Sequence, residues 1–413
     1  MAVVRPFRAL RPPAALAAQV AALPYDVMNV AEAREMAAGR DVSFLHISRP
    51  EIGLPEDTDP YSHEVYARGR TNLLSFIATG TLVPDEVPTM SVYRQRRGRH
   101  IQTGIVALAS VDDYESGVIA KHELTRADKE LDRVRHIDAL SAQDEPVFLL
   151  SPRNDEVEAV IAEAMAGEPY LQVVTDDGIG HTLWVISNPA QVTRVTEAFA
   201  GIPRLYVADG HHRSAAASRV RALRRERGLG HGYWPEHDGF MAVIFAADEL
   251  EILAYNRVVL DLGGATADDL LAGLVESFVV TAVDGPPEPS ARHVIGMYLA
   301  GQWYRLELRP NAVDEDDPVA RLDVSVLQDF VLAPLLNIGD PRTDTRLRFV
   351  GGIRGNDELE RIVDDGEGAV AFALHPTSVA DLMALADEGQ IMPPKSTWFE
   401  PKLRSGLFVH PLD

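Results

Sequence analysis

Short apolar runs alternate with amphipathic helical stretches along the whole chain, and this alternation restricts the fold to the mixed α/β and α+β classes. The pattern is sharpest where Leu205-Tyr206-Val207-Ala208, a buried-strand run, gives way to a helical stretch beginning Ser214-Ala215-Ala216-Ala217. Between them stand Asp209-Gly210-His211-His212-Arg213: an acid, a glycine, two imidazoles and a guanidinium at a strand-to-helix turn. Gly210 lets a ligand approach the backbone, and the free N–H groups of a helix start favour an anion such as phosphate. A plainer reading makes Asp209 an N-cap and the histidines solvated turn residues. Five successive small or reactive polar residues exceed what capping requires.

The periodicity predicts strands over residues 3–10, 44–47, 90–96, 102–110, 147–150, 171–175, 182–186, 240–246 and 253–260. It predicts helices over 13–22, 31–38, 61–79, 126–143, 155–165 and 189–200, with Asn29 as an N-cap. The proline-rich stretch 284–289 and the acidic stretch 314–318 read as turns or linkers. Soft boundaries near Asp85 and Gly263 divide the chain into an N-terminal α/β region (1–84), a core (85–263) and a C-terminal α/β region (264–413). Strand order is not readable at this level.

Several function classes lose ground on composition. A net charge of −23 repels duplex nucleic acid and anionic membrane. The arginines at 219, 221, 224, 225 and 227 recur through a helical stretch, as its solvated face or as a grip on a polyanion. With no cysteine there are no disulfides, thiolate metal sites or cysteine nucleophiles. No run reaches the roughly 20 apolar residues that span a bilayer, and the first residues lack a signal peptide's apolar centre, so a cytoplasmic protein without membrane partners is expected.

Two further segments can carry chemistry. Lys121-His122-Glu123-Leu124-Thr125-Arg126-Ala127-Asp128 ends in a variant capping box, Thr125 with Asp128, which places His122 and Glu123 in a loop just before a helix. A zinc-protease reading fails because Arg126 stands where the second histidine of His-Glu-x-x-His should be. Near the end, Met392-Pro393-Pro394-Lys395-Ser396-Thr397 stiffens the chain ahead of a lysine and two hydroxyls, a geometry suited to phosphate. An ordered tail packing Trp398 and Phe399 is the competing reading. The acid in Pro24-Tyr25-Asp26 reads as part of a structural turn. Walker, dinucleotide-binding, nucleophile-elbow and protein-kinase signatures are missing.

Five ordered segments, Arg5-Pro6-Phe7, Pro24-Tyr25-Asp26-Val27, His122-Glu123-Leu124-Thr125 with Lys129 and Asp132-Arg133, Asp209 to Arg213, and Met392 to Thr397 through Pro401-Lys402, resemble a bacterial and archaeal family of unknown function, DUF1015. The His-Glu and Asp-Gly-His-x-Arg segments also resemble, more distantly, free-serine kinases of the ParB/sulfiredoxin-like fold. His212 stands where those kinases have threonine, the spacing is longer, and the flanking regions have no counterpart.

That second resemblance implies a mixed sheet with a nucleotide-binding core and a phosphotransferase that moves phosphate from ATP or ADP to an amino-acid hydroxyl, with L-serine as the model acceptor. Glu123 would be the general base and Asp209 would orient the hydroxyl or a Mg²⁺ ion. Gly210, His211, His212 and Arg213, with Lys395, Ser396 and Thr397, would hold the phosphates. His122 and Arg133 would meet the substrate, Arg133 pairing with a carboxylate or with a neighbouring acid. The rival readings are a nucleotide-dependent switch without small-molecule turnover and another phosphate-handling transferase or hydrolase. The oligomeric state is left open.

Overall fold

Leu205–Asp209, the strand that carries the polar cluster, lies next to one edge of a nine-stranded mixed sheet. The computed structural model describes residues 1–230, 234–287 and 289–413, so Glu288 of the expected 284–289 loop lies outside the described residues. The sheet runs Ile119–Ala120, Leu205–Asp209, Val147–Ser151, Gly239–Ala246, His100–Ser110, Met90–Arg97, Gly180–Ile186, Leu171–Val174, and Val4–Arg5 pairs with His100–Ser110 beside this path. Gly239–Ala246 is buried along its whole length inside the sheet, paired in parallel with Val147–Ser151 on one side and antiparallel with His100–Ser110 on the other. A strand covered on both faces needs an unbroken apolar run rather than an alternating one.

Helices Asp155–Met165 and Pro189–Ala200 start on Asn154 and Asn188 side-chain caps and bury Val157, Val160, Ile161, Val195 and Phe199 against the sheet. Helices Ala127–Leu140 and His211–Glu226 share a separate apolar cluster through Val134, Ile137, Ala216 and Val220. This sheet and its helices belong to a unit comprising residues 1–121, 125–250 and 401–413. A second unit holds residues 122–124 and 251–400. Its own sheet has six antiparallel strands in the order Phe278–Val283, Gln302–Leu308, Val294–Leu299, Val370–Ala373, Tyr255–Val259, Leu347–Gly351.

Both units are mixed α/β, as the alternation requires. Near Asp85 the chain runs on within the first unit: the Asp85 carboxylate accepts from Arg11 and from Thr89 Oγ1 at 2.9 Å. The main division falls between Leu250 and Glu251, upstream of Gly263.

Several local expectations change, among them the strand expected over 253–260, which is divided at Ala254 into Glu251–Leu253 and Tyr255–Val259 in different sheets. Pro6 carries no N–H, and the stretch expected to be one strand over 3–10 is instead two short strands, Val4–Arg5 and Leu10–Arg11. The stretch expected to be a helix over 13–22 is helical only at Ala17–Val20. The apolar run at 44–47 is a helical turn, Leu45–Ser48, with Phe44 and Ile47 fully buried; a run this short has no period to separate strand from buried helix. No helix among the described residues is long and apolar enough to cross a membrane.

Candidate functional site

A register shift between Val207 and Asp209 interrupts the pairing of Leu205–Asp209 with Val147–Ser151, which resumes with Asp209 opposite Phe148, and a bulge of this kind re-aims the side chain that follows it. Gly210 then turns the chain with φ +97°, a conformation that only glycine adopts readily, and the helix His211–Glu226 begins without a side-chain cap. The expected helix start at Ser214 therefore moves up to His211, and the first-turn N–H groups belong to the polar cluster itself.

Asp209 Oδ2 accepts a 2.7 Å hydrogen bond from Lys402 Nζ. The Lys402 carbonyl accepts from Gln95 Nε2 at 2.8 Å, and Gln95 Oε1 accepts from Gln102 Nε2 at 2.9 Å, so two buried glutamines on adjacent strands fix the backbone that delivers the lysine. Lys402 lies within a segment used for the family resemblance, yet nothing in the sequence links it to Asp209, which stands far away along the chain.

Arg213 points back from the first helical turn into the protein. Its Nη1 donates to the Pro146 carbonyl at 2.8 Å, its Nη2 to both Asp26 oxygens at 3.3 Å, and its Nε lies 3.2 Å from Glu145 Oε2. Burial works against its charge, but Asp26, Glu145 and Asp209 outweigh burial and raise its pKa. Arg133 is buried as well: Nε and Nη2 donate to Asp132 Oδ2 at 3.0 and 2.8 Å, and the guanidinium sits 3.9 Å from the Tyr25 ring centroid. The neighbouring acid expected as one partner of Arg133 is Asp132. Tyr25 N–H donates to Glu145 Oε1 at 3.0 Å, which brings the Pro24-Tyr25-Asp26 turn into the same network.

A cavity of about 10 Å³ separates Arg133, Asp144, Glu145 and Arg213, room for one water and too little for a phosphate. Arg213 and Arg133 thus hold the turn and the helix start in place. The Asp144-Glu145 pair was missed. Its signal was two adjacent acids and a proline directly before the apolar run 147–150.

Glu145 is pushed up to about 7 by burial and by its neighbours Asp144 and Asp26, with Arg213 and Arg133 opposing. For Asp144, burial is outweighed by His136 at 3.0 Å, and its pKa is lowered. His211 is buried and His212 half-buried. His212 Nε2 accepts from the Arg126 N–H at 3.1 Å, which ties it to the start of helix Ala127–Leu140. That helix is not opened by a Thr125 capping box: the Thr125 hydroxyl donates to Glu130 at 2.7 Å. In the basic run Arg219, Arg225 and Arg227 are exposed, as a solvated face requires, while Arg221 and Arg224 are buried, and all five are paired with acids. Arg219, Arg221, Arg224, Arg225 and Arg227 pair with Glu130, Asp112 and Glu115, Asp413, Asp238 and Asp138.

The second unit holds the other predicted residues. His122 is buried, Glu123 half-buried, and the His122 carbonyl accepts from the Met392 N–H at 2.8 Å, so the His-Glu segment and the Pro-Pro-Lys-Ser-Thr segment adjoin within one unit. Lys395 is exposed and adopts φ +56°. The Ser396 hydroxyl is committed to the Pro393 carbonyl at 2.7 Å, and the Ser396 carbonyl accepts from Thr377 Oγ1 at 3.0 Å; Thr397 is half-buried. Trp398 packs edge-on against Tyr255 at 5.2 Å, and Phe399 is buried, so the tail-packing reading of this segment also holds. Beneath the segment, Arg257 on the strand Tyr255–Val259 donates to the carbonyls of Pro394 and Lys395 at 3.2 and 3.0 Å. Arg257 was also missed, although a lone arginine inside an apolar strand was visible.

Three comparisons bear on this geometry. A family model described as a protein of unknown function, DUF1015, matches residues 4–325. No curated protein matches the chain. Among solved structures the chain is similar to a free serine kinase in complex with AMP at 11% identity, covering 71% of this chain and 86% of that one with a TM-score of 0.35. It is similar to C-terminally truncated SbnI from Staphylococcus aureus at 12% identity, covering 74% and 87% with a TM-score of 0.39. A conserved hypothetical protein from Pyrococcus furiosus is similar at 12% identity, covering 74% and 95% with a TM-score of 0.35.

Proposed function

The chain belongs to the DUF1015 family, whose description assigns no activity, and we propose from its own residues that it is a cytoplasmic small-molecule phosphotransferase moving phosphate from ATP or ADP to an amino-acid hydroxyl, L-serine first among acceptors. The observation that carries this reading is the uncapped helix start at Gly210 to Arg213, beside a lysine ammonium held 2.7 Å from Asp209. A helix N-terminus and a cation together suit the phosphates of a nucleotide.

In the first unit, Lys402 and the first-turn N–H groups hold the donor phosphates and offset the charge that spreads over the transferred group. Asp209 orients Lys402, and Arg213 fixes the turn from behind. Asp209, whose Oδ2 accepts from Lys402, would be the residue to hold a Mg²⁺ ion, which would offset charge on the nucleotide phosphates. Glu123 is the proposed general base for the proton of the acceptor hydroxyl. The hydroxyl oxygen forms a bond to the phosphorus as the bond from that phosphorus to the nucleotide's bridging oxygen breaks, and the departing oxygen keeps the electron pair. General-base help of this kind contributes about 10²- to 10⁴-fold in rate.

Phosphorus NMR of the full chain with L-serine, Mg²⁺ and, separately, ATP or ADP tests the reading. A phosphoserine signal that is lost in Asp209→Asn is expected. In Glu123→Gln, nucleotide binding should persist without turnover. Unchanged turnover in Glu123→Gln removes the base assignment, and no phosphorylated product with any donor removes the serine-kinase reading.

A further inference from the structure

Arg5-Pro6-Phe7 is the first of the segments on which the family resemblance rests, and the function proposed above gives it no role. In the first unit this segment and Arg8 line a cleft of about 930 Å³, within the roughly 300–1,000 Å³ of small-molecule sites. Pro84, Pro88, Pro411 and Leu412 line it as well. Backbone hydrogen bonds tie these walls to the fold. Phe7 and Thr89 exchange N–H and carbonyl at 3.0 and 2.9 Å, the Asp85 N–H donates to the Ala9 carbonyl at 2.9 Å, and the Leu412 N–H donates to the Ser141 carbonyl at 2.9 Å. The cleft is therefore preformed, and its prolines, which carry no N–H, offer a ligand apolar surface.

The charge of the cleft runs against that of the chain. Three arginines, Arg5, Arg8 and Arg224, and two acids, Glu236 and Asp413, line it in a protein of net charge −23. Both acids are engaged. Asp413 pairs with Arg224, whose Nη2 also donates to the Leu412 carbonyl at 3.0 Å, and Glu236 Oε2 lies 2.9 Å from His410 Nε2. The hydrogen bond with His410, with Arg5 and Arg8 adding, holds Glu236 below the usual carboxylate range against burial. Arg5 and Arg8 themselves form no ion pair with a carboxylate among the described residues. Arg5 lies 3.0 Å from the centroid of the Trp234 ring and donates from Nη1 and Nη2 to the Trp234 carbonyl at 3.3 Å, contacts that orient a guanidinium without neutralising it. Arg8 is exposed, and its side chain forms no hydrogen bond among the described residues. Two like charges in a walled cleft concentrate anions there, and the guanidinium fork matches a carboxylate or a phosphate.

We infer that this cleft is a second ligand site, which takes an amphipathic organic anion: a carboxylate or phosphate monoester gripped by Arg5 and Arg8, with its apolar body against the proline walls. The site shares no residue with the Asp209 turn and does not rest on the phosphotransferase reading.

Calorimetric titration of the full chain with octanoate, and separately with octyl phosphate, tests the site, with octan-1-ol as the neutral control. Both anions have the same apolar body, so binding of one alone names the head group, and binding of both assigns the site to the shared charge. Arg8→Glu reverses an exposed charge and should fold with an unchanged thermal midpoint. It is expected to weaken anion binding by about tenfold or more, the scale of a lost charge-assisted hydrogen bond. Arg5→Gln should weaken binding similarly wherever it folds; Arg8→Glu decides the matter if it does not. Asp209→Asn should bind the anions as wild type does, and a loss of binding there would place them at the helix start and overturn the cleft site. Wild-type affinity in Arg8→Glu overturns it too, as does octan-1-ol binding as tightly as the anions, or a wild-type protein that binds neither anion.

Discussion

Replacing Glu145 with glutamine should remove a pH dependence of folding that the wild-type protein carries in its first unit. Glu145 is buried, accepts from Tyr25 N–H at 3.0 Å and Ser405 Oγ at 2.9 Å, and faces Arg213. Burial together with Asp144 and Asp26 pushes its pKa up to about 7, from an ordinary value of 4.5. The folded protein therefore holds this proton more tightly than the unfolded chain. The resulting stability is present in full below about pH 4.5 and is lost as pH rises through 7. At ~1.4 kcal/mol per tenfold change in proton affinity, the loss amounts to about 3 kcal/mol by pH 8. Asp144 has a lowered pKa, so its own dependence runs in the opposite direction and at lower pH.

Glutamine resembles the protonated acid and can still accept from Tyr25 and Ser405. The difference in unfolding free energy between Glu145→Gln and wild type should thus move in favour of the variant by about 3 kcal/mol between pH 4.5 and 8. Hydrogen exchange read by mass spectrometry on peptides of the first unit measures this difference, with peptides of the second unit as control. A difference that stays constant across the range would refute the reasoning.

Two further outcomes follow from the same unit. Gly210→Ala places a β-carbon on a backbone at φ +97°, 3.4 Å from Arg213 Nη1 and from the Val147 Cα, so a cost of about 1–2 kcal/mol is expected in chemical denaturation, and an unchanged midpoint would show that the turn relaxes. Burial, with Arg404 adding to it and Asp177 opposing, holds His181 down to about 3, so its contribution to stability is full above pH 6.5 and lost as pH falls. Wild type should lose about 2 kcal/mol between pH 6.5 and 5 on this account, a slope that His181→Gln should lack when the two are unfolded side by side in denaturant.

How much of this was legible follows from the range over which each signal acts. Helices Asp155–Met165 and Pro189–Ala200 start and end where periodicity and their asparagine caps place them, because both signals are local. The capping box at Asn29 is equally local, with Glu32 answering it. By contrast, Asp209 with Lys402 and Arg213 with Asp26 join residues far apart in sequence, and no composition or spacing reports such a pairing. Thr125 failed as a cap for a related reason. Its hydroxyl had two local destinations, and Glu130 is the one it takes.

The two buried arginines show where this limit matters most for function. Arg213 stands among polar residues at a helix start and reads as a ligand-facing group, whereas Arg257 stands in an apolar strand and carries no functional signal. In the fold their surroundings are reversed in kind. Arg213 is surrounded by acids that satisfy its charge and leave no room for a phosphate. Arg257 has rings around it and is answered by three backbone carbonyls instead of a carboxylate. Sequence neighbours set where the Cα of an arginine lies, but its long side chain ends in a shell chosen by tertiary structure. What separates a ligand-binding guanidinium from a structural one is therefore the charge balance at its tip. By that criterion Arg213, its charge balanced by Asp26 and Glu145, is the residue that keeps the first unit's turn rigid.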